Sequence, residues 1–208
     1  MSRSFHSYEP KHGHGLPHDP FKSIVGPRPI GWIASQNDHG ILNLAPYSFF
    51  NAFHASPPII GFASTGYKDS VSNISQTGEF TWNLVTFDLA EQMNATCAEV
   101  PPEVNEFELA GLTPLASSVI QVPRVAQSKV SFECKLTQMI HMQNAEGKEL
   151  SSWLTLGEVV AVHIATDLLQ DGIFNTATAN FILRGGGPAD SRGPRAPQKS
   201  PRCPKDGV

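Results

Sequence analysis

The chain has 208 residues, of which 40% are apolar and 16% are charged, and its formal net charge is −4. A chain of this length suits one domain that buries its own core. The acidic excess argues against a nucleic-acid partner, because phosphate contacts need a basic surface. There is no apolar run long enough to span a membrane and no apolar segment typical of a secretory signal at the N-terminus. We therefore expect a cytoplasmic protein with no nucleic-acid or membrane partner.

Composition divides the chain into three parts. Residues 1–20 are polar and histidine-rich, but they have no cysteine or carboxylate at ligand spacing, so we expect a surface segment and no metal site. Residues 21–184 carry the apolar and β-branched segments of a folded domain. Residues 185–208 are rich in glycine, proline and basic residues and have few apolar side chains. Such a stretch cannot offset its ordering entropy, so we expect a disordered tail.

The domain between residues 21 and 184 has mainly the pattern of strands. Proline breaks residues 45–58 too often for a long helix, and residues 107–115 have the composition of a turn segment. Periodicity and turn residues predict strands over 28–35, 41–45, 58–64, 80–86, 129–142 and 155–165, with short helices over 70–77 and 89–100. About six strands with little strand–helix alternation predict a mainly β fold, an antiparallel barrel with peripheral short α-helices.

The sequence has no P-loop, zinc-protease, nucleophile-elbow or dinucleotide fingerprint. Cys97 and Cys134 fall in a predicted helix and strand, where we expect them to be buried. Residues 28–83 interleave aromatic with small polar side chains, and a flat uncharged ring system needs such a mixture. Lys68 and Ser70 lie at the start of helix 70–77, where a phosphate is favoured. Ordinary turn residues explain the same spacing equally well.

The segments RPIGWIAS, NLAPYSFFN, SPP and KDSxxNI occur in one register. They resemble the flavin reductase-like family of FMN-binding split barrels, and the resemblance covers roughly residues 12–184. It implies a Greek-key split β-barrel that forms a homodimer and holds FMN in a groove near the subunit interface. Members of the family reduce flavin with NADH or NADPH, or carry electrons on a bound flavin. The implied partner is a flavin-dependent oxygenase or another electron acceptor.

The resemblance also implies which residues contact the cofactor. His163 corresponds to a histidine near the flavin, and it is the candidate catalytic residue. The implied cofactor-binding residues are Trp32, Ile33 and Ser35 on the first strand, Asn43, Ala45, Pro46, Tyr47 and Ser48 at the ring edge, Asn51 on the turn beyond, and Ser64, Lys68 and Ser70 on the phosphate side. A flavoredoxin-type electron carrier and a non-enzymatic flavin- or haem-binding module on the same barrel remain alternatives.

Overall fold

The computed structural model describes residues 3–186 and the backbone of residues 191–192. Most of the tail predicted over 185–208 therefore lies outside the described residues. The helices are the one-turn α1 (Phe21–Ile24), then α2 (Asp69–Thr77), α3 (Ala90–Ala95), α4 (Glu106–Leu109) and α5 (Thr176–Ala179), with 3-10 turns at Pro10–His12, Phe87–Leu89 and Thr166–Leu168. None of the helices within these residues is long and apolar enough to cross a membrane.

Strands dominate the described part of the chain, as predicted. They are β1 (Arg28–Pro29), β2 (Gly31–Gln36), β3 (Leu42–Tyr47), β4 (Phe50–Ala55), β5 (Pro58–Thr65), β6 (Glu79–Asn83), β7 (Pro114–Leu115), β8 (Arg124–Val125), β9 (Val130–Gln143), β10 (Glu149–Ile164), β11 (Leu169–Gln170), β12 (Ile173–Phe174), β13 (Leu183–Arg184) and β14 (Ser191–Arg192). Seven of them form one antiparallel sheet in the order β3-β2-β6-β9-β10-β5-β4.

The two edges of this sheet, β3 and β4, follow one another in the chain but do not pair. The sheet curls until the Tyr47 ring on β3 lies 4.5 Å from the Phe62 ring on β5. Gly31 allows the close approach of β2 to β4, because a Cβ atom there would lie 2.7 Å from Cδ2 of Phe50. Side-chain packing thus closes a barrel that hydrogen bonds leave open, which confirms the mainly β split-barrel prediction.

Two layers cover this barrel. Helix α2 closes one end, and its Ile74 is fully buried against Ile33, Phe62 and Phe80 inside the barrel. Residues 84–125 cover the outer face of the sheet, with a second apolar cluster around Trp32. At the end away from α2 an apolar cavity of about 490 Å³, here called the barrel mouth, is lined by residues that include Ile30, Phe50, Trp82, Phe132, Phe174 and Phe181. The candidate functional site lies at the other end of the barrel, beside the start of α2.

The differences from the predicted elements have local causes. Strand β4 was not predicted, because it is an exposed edge strand and has no alternation of buried side chains. The helix predicted over 89–100 ends at Ala95, where the Thr96 hydroxyl donates to the Met93 carbonyl. The segment predicted as a turn over 107–115 begins within the single helical turn α4. Strand β10 starts at Glu149, earlier than predicted, because it pairs with the whole of β9 in a long hairpin.

Candidate functional site

A cleft of about 390 Å³ lies between β3, the start of α2 and residues 96–106. We call it the polar cleft. Its volume lies within the range of small-molecule sites. Its lining consists of Asn43, Ala45, Pro46, Tyr47, Lys68, Asp69, Ser70, Thr96, Cys97, Ala98, Glu99, Val100, Pro102 and Glu106. Six of the twelve residues expected to contact the cofactor are among them: Asn43, Ala45, Pro46, Tyr47, Lys68 and Ser70.

The start of helix α2 forms the electropositive corner of the polar cleft. Lys68 is its N-cap in an extended conformation, and no side chain caps the helix there. The Ser72 N–H donates to the Lys68 carbonyl, so the three N–H groups before it have no partner within the helix. Lys68 itself is exposed. Unpaired N–H groups, the helix dipole and an ammonium group together favour an anion such as a phosphate.

The floor of the polar cleft is a network of buried polar side chains. Asn43 Nδ2 donates to Ser70 Oγ at 2.8 Å and to Ser35 Oγ at 3.2 Å. Asn73 Nδ2 donates to the same Ser35 oxygen at 3.2 Å. Burial raises the pKa of the neighbouring Tyr47, whose hydroxyl is therefore neutral near pH 7. The network holds β2, β3 and α2 together and presents fixed hydroxyl and amide groups to a ligand.

Glu106 also lines the polar cleft, at the start of α4 and against β3. The Asn105 side chain caps this helix by accepting from the Phe107 N–H at 3.0 Å. Glu106 is only 5% exposed, and its Oε2 accepts from the Leu44 N–H at 3.1 Å. Because β3 is an edge strand, no neighbouring strand takes this N–H. Burial raises the pKa of Glu106.

Several of the expected site residues lie outside the lining. Trp32 and Ile33 are fully buried in the two apolar clusters, and Trp32 Nε1 donates to the cleft residue Thr96 at 3.0 Å. Ser64 is buried and donates to the Gly66 carbonyl. Ser35 belongs to the floor network but does not line the cleft, the Ser48 carbonyl accepts from Arg28, and Asn51 lines the barrel mouth. These residues support the cleft or lie elsewhere.

His163, the candidate catalytic residue, lies on β10 and does not line the polar cleft. Its Nε2 is 2.6 Å from Oε1 of Glu133, a fully buried carboxylate on β9. The same carboxylate accepts from backbone N–H groups of residues 118–120. The structure therefore places His163 in a buried network that holds this loop to the sheet.

The wall made by residues 96–106 was absent from the sequence interpretation. The one available signal was Asn105 followed by Glu108, a pattern that marks a helix start, and the Asn105 amide does donate to Glu108. That pattern does not reveal that Glu106 is buried. Cys134 is buried as expected, whereas the prediction for Cys97 was wrong. Cys97 is exposed because α3 ends before it.

The chain is similar to known proteins over most of its length. The family model described as flavin reductase like domain matches residues 26–179. A protein of Aquifex aeolicus is 38% identical over 155 residues, 72% of this chain and 76% of its own length. Nitrilotriacetate monooxygenase component B from Bacillus cereus is 30% identical, with a TM-score of 0.85 over 96% of this chain and all of its own.

A third similarity concerns the barrel itself. A protein of Shewanella frigidimarina with the split barrel domain of a flavin reductase is 26% identical. Its structure superposes with a TM-score of 0.78 over 88% of this chain and 90% of its own. The family match and the two structures agree with the split-barrel fold. The chain belongs to the flavin reductase-like family of split-barrel proteins.

Proposed function

We propose that this protein binds FMN in the polar cleft and reduces it with NADH or NADPH. The observation that carries the proposal is the pairing of Lys68 at the start of α2 with the neutral polar groups of β3 in one cleft of a flavin reductase-like chain. Bound FMN would supply the redox chemistry, because its ring accepts two electrons with a hydride from the nicotinamide. The protein would supply binding and orientation.

The donor set of the polar cleft fits FMN. The N–H groups that begin α2 and the Lys68 ammonium would hold the phosphate. Backbone groups of Ala45 to Ser48 would meet the polar edge of the ring, and the floor network would keep that strand in place. Hydride transfer depends on stacking and orientation and does not require an acid or base in the site. The proposal therefore does not need His163 as a catalytic group.

The proposal includes a homodimer and a separate electron acceptor. Phe53 on the edge strand β4 is 54% exposed, and Val162 and Phe174 at the barrel mouth are 52% and 36% exposed. An exposed apolar surface of this kind favours association. A second copy would cover it. The acceptor would be a flavin-dependent oxygenase, since the similar Bacillus cereus protein is a monooxygenase component. Light scattering on the FMN complex would give twice the chain mass of 22.5 kDa, and a monomer would contradict the dimer.

Anaerobic stopped-flow spectroscopy tests the function directly. The protein is mixed with excess FMN and either NADH or NADPH, and the loss of flavin absorbance is followed. Fast bleaching over many turnovers is the expected result. One slow turnover would indicate a flavoredoxin-type electron carrier instead. Binding of FMN without any bleaching would indicate a non-enzymatic flavin-binding module.

The phosphate position is tested by Lys68→Ala. Removal of the ammonium group should weaken FMN binding by about ten- to a hundredfold, because a charge-assisted contact to the phosphate is lost. Riboflavin has no phosphate, so its affinity should stay unchanged. Isothermal titration with both ligands measures the difference. Lys148→Ala, in the exposed turn between β9 and β10, is the matched control. Equal losses for FMN and riboflavin would defeat the assignment.

A further inference from the structure

Carboxylates outnumber ammonium groups in the polar cleft. Its described lining contains Asp69, Glu99 and Glu106 but only one cationic side chain, Lys68. Lys68 and Glu99 are exposed, so water and salt screen their charges. Glu106 is 5% exposed, so its charge acts over a longer range inside the cleft. The most effective charge in this cleft is therefore negative.

The position of the Glu106 carboxylate is fixed. Its Oε2 is held by the Leu44 N–H at 3.1 Å, and the Asn105 cap holds the helix turn that carries it. Its charge acts along β3: besides burial, the charges of Asp69 and Glu106 raise the pKa of Tyr47 on the same strand. Tyr47 is part of the wall expected to meet the flavin ring. A ligand that gains negative charge there is opposed by Glu106.

Reduction changes the charge of the proposed ligand. A hydride would bring two electrons and one proton to oxidised FMN, so the ring system would gain one negative charge while the nicotinamide would lose one. That charge remains until a further proton arrives from solvent. A nearby carboxylate disfavours an additional negative charge. Oxidised FMN has an uncharged ring and does not meet this repulsion.

We propose that Glu106 makes the polar cleft bind oxidised FMN more tightly than reduced FMN and thereby promotes release of the reduced flavin. The inference rests on the proposed function, because it concerns the same cleft and ligand. Beyond that function, the polar cleft would distinguish oxidised from reduced FMN, and Glu106 would be the residue responsible. It also favours delivery of free reduced flavin to an acceptor over storage of electrons on a bound flavin.

The test compares dissociation constants for oxidised and reduced FMN at pH 8 under anaerobic conditions. The wild-type protein should bind reduced FMN more weakly. Glu106→Gln keeps the size of the side chain and an acceptor for Leu44, but removes the charge. It should tighten reduced FMN about tenfold relative to oxidised FMN. That change corresponds to a rise of about 30 mV in the midpoint potential of bound flavin, which spectroelectrochemistry measures independently.

Two further variants complete the test. Glu108→Gln lies on the same helix but outside the cleft lining, so the ratio of the two constants should not change. Glu99→Gln removes an exposed cleft charge and should shift the ratio two- to threefold in the same direction. This variant keeps the test possible if Glu106→Gln does not fold. Equal effects of Glu106→Gln on both redox forms, or tighter binding of reduced FMN by the wild type, would overturn the inference. No binding of oxidised FMN by the wild type would overturn the proposed function instead.

Discussion

Two buried glutamates in this molecule have opposite properties. Glu133 lies on β9 beneath residues 118–120 and is fully buried, and Glu106 lies beside the polar cleft and is 5% exposed. Burial by itself raises the pKa of both carboxyls. At Glu133 this is more than offset by donors from the loop and from His163, which lower the pKa to about 2. At Glu106 burial prevails, and the pKa is raised.

The number of donors explains the difference. Glu133 accepts from the N–H groups of Ser118, Val119 and Ile120 at 2.6 to 3.1 Å, and also from the Ser118 hydroxyl and His163. Glu106 accepts from Leu44 and from its own backbone N–H. A carboxylate with several donors is stabilised in its charged form, whereas one with few donors is not. The charge of Glu133 is therefore compensated by its donors and stabilises the fold. The charge that Glu106 carries above its raised pKa is only partly compensated and can act on a ligand.

The largest expected effect is that of Glu133→Ala. Loss of this carboxylate leaves three loop N–H groups without an acceptor, so the free energy of unfolding should fall by about 3–5 kcal/mol. Urea denaturation at pH 7 measures the change. Glu146→Ala, in an exposed turn, is the control and should change stability by less than about 0.5 kcal/mol. A loss below about 1 kcal/mol at Glu133 would show that water replaces the carboxylate and that the loop is held by other contacts.

Lowering the pH should remove the contribution of Glu133 to the stability of the wild-type protein. The pKa of Glu133 is about 2 in the folded protein against 4.5 for the unperturbed group, so its contribution is complete above pH 4.5 and disappears as the pH falls towards 2. The contribution lost is roughly 3 kcal/mol. Subtracting the stability of Glu133→Ala from that of the wild type at each pH isolates it. A difference independent of pH between 5 and 2 would contradict the assigned pKa.

The smallest change in the free energy of unfolding is expected from Glu106→Gln. This variant should stabilise the protein, whereas Glu133→Ala should destabilise it. Because the folded pKa is raised, the ionised carboxylate opposes folding, and wild-type stability is lost as the pH rises from the unfolded to the folded pKa. The variant should therefore gain stability relative to the wild type at pH 8, by less than about 1 kcal/mol, and not at pH 4. Thermal unfolding at both pH values tests this. A gain in stability at pH 4 but not at pH 8 would contradict a raised pKa of Glu106.

Features that depend on residues adjacent in the chain could be predicted from the sequence. The apolar run of β5 and the alternation in β9 predicted two strands within a residue or two of their observed ends. Helix α2 was predicted because Gly78 follows it, and Gly78 adopts the left-handed conformation there with φ 72°. The placement of Lys68 and Ser70 at the start of that helix followed from the same local pattern, and both line the cleft.

Tertiary structure alone decided which of these residues meet. Glu106 is 62 positions from Leu44, and nothing near either residue in the sequence indicates that the carboxylate would accept the N–H of an edge strand. Glu133 looks like an ordinary strand residue until the loop at residues 118–120 is seen to cover it and His163 is seen to bond to it. Periodicity and capping report the local backbone, whereas burial and hydrogen-bond partners arise from contacts between distant segments. The charge state of the two glutamates therefore depends on how the barrel closes and on which loop lies over each carboxylate.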